Sequence, residues 1–164
     1  MESFFHIDTD KSKAERYESF IETWKALIEG ETDEISILAN TAAALKEAFG
    51  FFWVGFYLVH TDEELHLGPF QGSVACYRIK KGRGVCGTAW EKGHSIVVPD
   101  VKLFPGHIAC SSLSQSEIVV PLCHGKETKG VIDIDSDNLS AFDDTDRRYL
   151  EQIAHILTKS IYHA

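Results

Sequence analysis

EIVVPLCHGKETKGVIDID, residues 117–135, holds two runs rich in Ile and Val on either side of the polar, glycine-containing HGKET at residues 124–128. β-Branched residues suit a pleated, half-buried backbone, and a short polar break between two such runs reads as a hairpin turn. The stretch therefore predicts paired strands over residues 117–123 and 129–135. In the second run IDID alternates apolar and acidic, so the period of two puts Ile132 and Ile134 on one face and Asp133 and Asp135 on the other. Glu117 opens the first strand, within reach of those acids across the hairpin. Alternation alone favours a solvated acidic face with the isoleucines turned inward. If the acids instead face a pocket, burial among Ile118, Val131 and Ile134 is costly unless they meet a cation or share protons, and they could hold an ammonium or donate a proton.

Working outward, FFWVGFYLVH at residues 51–60 reads as a buried strand, and ELHLGPFQG at residues 64–72 as its hairpin partner. VACYRIK and HSIVVPD are further strand candidates, separated by the glycine-punctuated short helix GRGVCGTAWEKG. Residues 101–116 form a long irregular segment, and loops of that length are often functional. Apolar residues at three- and four-residue steps predict a helix over residues 11–28, with Tyr17, Phe20, Ile21, Trp24 and Leu27 on its stripe. A second helix follows Thr32, carrying Ile35, Leu38, Ala42, Leu45 and Phe49, with Gly50 as its stop. A third begins near Asp143, a candidate cap, and carries Leu150, Ile153, Leu157 and Ile161. The fold class is α+β: a central antiparallel sheet of about six strands flanked by N- and C-terminal helices. Nothing divides the chain, so residues 1–164 read as a single domain.

Sixteen basic residues against 25 acidic ones give a formal charge of −9 over 164 residues. That balance repels phosphate backbones and anionic lipid at long range, so neither nucleic acid nor membrane is expected as a partner. No run reaches the length of a membrane span, and the N-terminus lacks the basic-then-apolar order of a secretory signal, which points to the cytoplasm. There, the four cysteines Cys76, Cys86, Cys110 and Cys123 are read as redox or metal-binding groups, or as buried hydrophobes, rather than structural disulfides.

Cysteine spacing offers no CxxC pair, so a zinc site built from three cysteines plus His107 has weak support, and no metal is expected. Cys123, inside IVVPLC, reads as a small buried hydrophobe. Cys86 in RGVCGTA and Cys110 in GHIACSSLS sit among small residues, where backbone amides or a helix N-terminus can lower a thiol pKa and create a nucleophile. Trp53 and Tyr57, four apart on the first strand, share a face and could wall a small apolar site, although such aromatics are more often core. Gly82, Gly84 and Gly87 meet a phosphate-loop pattern only in part, which discounts nucleotide binding.

Taken in order, ACYRIKKGRGVCGTAW, PDVKLFPGHIAC, SEIVVPL and GVIDIDS closely resemble the free methionine-(R)-sulfoxide reductases, single-domain enzymes of the GAF fold. The resemblance implies reduction of the free R epimer by a cysteine nucleophile, through a sulfenic acid and an intramolecular disulfide, with regeneration by thioredoxin and no cofactor. It aligns Cys110 with the catalytic cysteine, Cys86 with the resolving cysteine of GVCG, and Cys76 with a third redox cysteine. Glu117, Asp133 and Asp135 match the acids of the substrate site, and Trp53 and Tyr57 its pocket aromatics. A departure follows the nucleophile, where Ser111 stands in place of a common acidic residue; losing a like charge there lowers the Cys110 pKa. The competing expectation from the same fold is a non-catalytic module binding a small molecule or cyclic nucleotide. Oligomeric state is not set by the sequence, with which a homodimer is compatible.

Overall fold

The structure, a computed structural model, describes residues 4–163. In chain order the elements are α1 (Lys13–Ile28), α2 (Glu34–Phe49), β1 (Trp53–Val59), β2 (Glu64–Gln71), β3 (Arg78–Lys80), α3 (Gly84–Lys92), β4 (Ile96–Val98), a 3-10 turn (Val101–Leu103), β5 (Ser116–His124), β6 (Glu127–Ser136) and α4 (Asp144–Tyr162). The strands form one six-stranded sheet in the order β3-β2-β1-β6-β5-β4. Every neighbouring pair is antiparallel. The α+β expectation is met.

Helix starts follow local chemistry. Ser12 caps α1 by accepting from Glu15 N–H, Asp33 caps α2 by accepting from Ser36 N–H, and Asp143 forms a reciprocal capping box with Asp146 at α4. Asp146 also takes the Tyr17 hydroxyl at 2.7 Å and the Lys13 ammonium at 2.7 Å, which fixes α1 against α4. Trp24 Nε1 donates to Thr41 Oγ1 at 2.9 Å and does the same between α1 and α2. Leu27 and Ile35 lie outside the buried stripes that the sequence assigned them, at 39% and 57% exposed. Each sits at the border of its helix's apolar face, where a three- or four-residue spacing cannot tell edge from centre.

The sheet is covered on both faces. Ile118, Val120, Leu122, Ile132, Ile134, Val54 and Phe56 pack with α1, α2 and α4 in the larger core. The other face packs Trp53, Tyr57, Val119 and Val131 with Cys86, Ala89 and Trp90 of α3, and with Val98 and Val101. Register explains the partition: Trp53 and Glu117 both pair with Asp135, Gly55 and Val119 both pair with Asp133, and Tyr57 pairs with Val131. Residues directly opposite across antiparallel strands share a face. The pocket aromatics and all three acids are therefore projected to one side at the middle of the sheet.

Two strands are shorter than the sequence implied. In VACYRIK only Arg78–Lys80 pairs regularly with β2, because the chain before it leaves the sheet to cross the α3 side. In HSIVVPD only Ile96–Val98 is strand. Cys123 is exposed rather than buried; it lies next to the hairpin turn, where the register shifts after Leu122, and an apolar run is buried only as far as its cover extends. Among the described residues no helix is long and apolar enough to cross a membrane.

Candidate active site

Above the acidic face of the sheet, the loop after the 3-10 turn brings Cys110 against the segment before β3. Cys110 and Cys76 are joined in a disulfide, with their Cα atoms 5.6 Å apart. The motif resemblance implies Cys86 as the partner of Cys110; Cys86 is instead a buried free thiol. Pairing of residues on two irregular segments depends on loop paths, to which periodicity is blind. The disulfide also dissolves the zinc set of three cysteines and His107, since two of its sulfurs are bonded to each other.

Beneath the disulfide lies a cavity of about 50 Å³. Trp53 and Tyr57 form its aromatic wall, and Glu117, Asp133 and Asp135 its acidic floor. Cys86 and Cys110 line it as well, whereas Cys76 reaches it only through the disulfide. The structure thus brings all eight candidate residues around one space.

The aromatic rings are 6.2 Å apart and nearly parallel, and their polar ends hold the segment that carries Cys76. Trp53 Nε1–H donates to the Ser73 carbonyl at 3.0 Å, and the Tyr57 hydroxyl donates to the Cys76 carbonyl at 2.9 Å. Trp53 also stacks on Phe70 with centroids 5.2 Å apart. Gly55 makes that arrangement fit: a Cβ there would fall 2.3 Å from Phe70 Cβ and 2.8 Å from Trp53 Cη2. Any larger residue must displace the indole.

Glu117 is 5% exposed and Asp133 6% exposed, so the solvated acidic face favoured by alternation is not what forms. Alternation separates the two faces of a strand but carries no information about which face another segment covers. Burial pushes both carboxyls up, and for Glu117 the neighbouring Asp133 and Asp135 push further in the same direction. Asp135 is raised by burial and by Asp133, with the Ser114 hydroxyl opposing. Protonation relieves the repulsion between these close acids, and Glu117 and Asp135 are both held well above the usual carboxylate range. Asp133 Oδ1 is buried without a hydrogen-bond partner. A buried acceptor left unmet costs on the order of 1–3 kcal/mol, so the floor is built to receive a donor or cation.

Cys86 lies in the first turn of α3, yet its thiol is pushed up rather than down, first by burial and then by Asp133 and Glu117. The amide environment inferred from RGVCG is outweighed by desolvation and by like charge. Ser111, which replaces the acidic residue common after the nucleophile, accepts the Leu113 N–H at 3.2 Å and shapes the turn after Cys110.

From the sequence, His107 stands out only as a possible fourth zinc ligand beside three cysteines. In the structure it lines the cavity, with Nε2 3.8 Å from Glu117 Oε2. Burial lowers its pKa against the opposing pull of Asp133, which favours the neutral imidazole. Its place three residues before Cys110 in an otherwise uncharged loop was the available signal. Ser114 beside Asp135 carried none.

The GAF domain family model matches residues 31–161. The chain is 58% identical to "GAF domain-containing protein A" of Dictyostelium discoideum, covering 89% of this chain and 92% of that protein. It is 46% identical to the "Free methionine-R-sulfoxide reductase" of Escherichia coli, covering 90% of each. Among solved structures, a free methionine-R-sulfoxide reductase from Neisseria meningitidis in complex with its substrate superposes with a TM-score of 0.93 at 53% identity, covering 99% of this chain and 96% of that one.

Proposed function

The chain belongs to the GAF domain family, within its free methionine-R-sulfoxide reductases, and on that premise we propose that it reduces free methionine-(R)-sulfoxide with Cys110 as nucleophile and Cys76 as resolving thiol. The Cys110 thiolate attacks the sulfoxide sulfur and forms an S–S bond; a neutral acid of the floor protonates the oxygen, the S–O bond breaks with loss of water, and a water then attacks the Cys110 sulfur and breaks the S–S bond. Glu117 suits that task because burial and the neighbouring Asp133 and Asp135 favour its protonated form. Methionine leaves with its sulfur reduced, and Cys110 is left oxidised as a sulfenic acid. The Cys76 thiolate then attacks the Cys110 sulfur; one water leaves and the disulfide forms. Exchange with a thioredoxin-type dithiol returns both thiols and oxidises the partner.

Asp133 and Asp135 hold the substrate ammonium, which a methionine residue inside a polypeptide lacks, and this selects the free amino acid. Trp53 packs on the methyl end, where sulfur and aromatic surface attract each other. An engineered apolar cavity of about 150 Å³ accepts benzene, so the space of about 50 Å³ under the closed disulfide is too small for a whole amino acid. Reduction frees the two segments to part and admit substrate. The dithiol cycle fits a reducing compartment, and we assign the protein to the cytoplasm as one GAF unit.

The observation that carries this reading is the Cys76–Cys110 disulfide lying over a cavity floored by buried acids. The test is steady-state turnover of the R epimer with a thioredoxin system. Turnover that vanishes in Cys110→Ser supports the reading. No reductant consumption by folded wild-type protein, or unchanged turnover in Cys110→Ser, overturns it.

A further inference from the structure

The cavity holds a second set of donors that the reaction leaves partly unused. Cys86 Sγ and one carboxylate oxygen each of Glu117 and Asp133 lie within 4.8 Å of one another. They arrive from α3, β5 and β6, so their convergence is a product of tertiary packing rather than of one loop. His107 Nε2 approaches from the Cys110 loop, 3.8 Å from Glu117 Oε2. Cys86 has no task in the cycle above, and it is 3% exposed. Independently, Asp133, 6% exposed, keeps Oδ1 buried with no hydrogen-bond partner.

We propose that Cys86, Glu117 and Asp133, with His107 as fourth donor, form a zinc-binding site whose occupancy competes with the substrate ammonium. One sulfur, one imidazole nitrogen and two carboxylate oxygens make a donor set for a borderline-soft divalent ion, not for calcium or magnesium, which require oxygen alone. Tetrahedral zinc with bonds of about 2.0–2.3 Å sets its donors about 3.5 Å apart. Side-chain rotation of about an ångström therefore closes the set. Zinc takes the place of the Cys86 and Glu117 protons, which leave to solvent, and Asp133 binds as its carboxylate. No redox change is involved.

Neither sulfur of the disulfide belongs to this set, and Cys86, Glu117 and Asp133 stand on α3, β5 and β6, so these three donors keep their places in both redox states. That separates it from adventitious capture of zinc by a reactive Cys110 thiolate. The competition rests on the reading that these acids bind the substrate ammonium; the metal site itself does not.

The test uses the full chain in its disulfide form, freed of metal and titrated with Co²⁺ as a spectroscopic probe, then with Zn²⁺. A thiolate-to-cobalt charge-transfer band saturating at one equivalent and bleached by Zn²⁺ is expected. The band should survive in Cys123→Ser and in reduced Cys110→Ser, and disappear in Cys86→Ala. Asp133→Asn, folded by circular dichroism, should weaken binding by more than about tenfold, a loss in the range known for metal-site partners. No cobalt–thiolate band in the wild type, or one that survives in Cys86→Ala, overturns the site. In Cys110→Ser, the R sulfoxide should raise the apparent zinc dissociation constant in proportion to its concentration. Metal binding that ignores the sulfoxide overturns the competition, and with it the ammonium role of the acids, while leaving the metal site standing.

Discussion

Reduction of the Cys76–Cys110 bond should lower the thermal midpoint of the protein by an amount that its loop length sets. The bond closes a sequence separation of 34 residues, and chain-entropy theory assigns a cross-link over such a loop about 4 kcal/mol at room temperature. For a domain of this size each kcal/mol moves the midpoint by about 2–4 °C, so reduction should cost roughly 8–15 °C. The native contacts near the bond do not replace it, because they act on the folded state whereas the cross-link restricts the unfolded one. The assay is unfolding followed by near-ultraviolet circular dichroism, with protein oxidised by one equivalent of sulfoxide compared with protein kept in excess dithiol. Cys76→Ser should match the reduced wild type whatever its treatment, and Cys86→Ala should keep the full gap. Equal midpoints in the two wild-type states, or a gap that survives in Cys76→Ser and vanishes in Cys86→Ala, would refute the reasoning about which thiols pair.

Removing the charge of Asp133 should trade function against stability: Asp133→Asn loses a charge-assisted contact of about 1.5–3 kcal/mol, or roughly tenfold to a hundredfold in kcat/KM carried mainly by KM. The same variant should resist urea better than the wild type at neutral pH, because a buried carboxylate beside Glu117 and Asp135 is replaced by a neutral amide. Acidity should matter through Glu117, Asp133 and Asp135, whose raised pKa values mean that the folded state binds protons more tightly than the unfolded chain. Their stabilisation is complete below the unfolded carboxylate value near about 4 and is lost as pH rises through the folded values. Exposed Glu31, Asp33 and Asp143 shift the opposite way, so the measurement is wild type minus Asp133→Asn in urea midpoint, which should fall from pH 4 to pH 8; a rising difference contradicts the account. Gly55→Ala should push Trp53 off Phe70, visible as a changed tryptophan emission maximum together with a raised KM; unchanged values of both would show that the indole does not depend on that close approach.

Particular residues show what the amino-acid order could reveal. The hairpin at residues 117–135, the split of Ile132 and Ile134 from Asp133 and Asp135, and the cap Asp143 follow from local rules, and the structure has them. Burial of the acids does not follow from those rules, since cover comes from α3 and from residues 101–115, whose path has no period to read. The pairing of Cys110 with Cys76 was hidden for the same reason, as was the arrival of His107 at Glu117. Cys123 misled in the opposite sense: its apolar neighbours are buried, but it lies at the end of the strand beside the turn. The motif resemblance gathered the site residues without their geometry, and the sheet register supplied it.

The most direct test of the central claim is a single turnover without reductant, in which reduced protein is mixed with one equivalent of each epimer of free methionine sulfoxide and the products are counted. The account predicts one methionine per chain from the R epimer and none from the S epimer, with a Cys76–Cys110 disulfide in the peptide map and Cys86 still a thiol. Methionine from the S epimer, or a disulfide that contains Cys86, would contradict it.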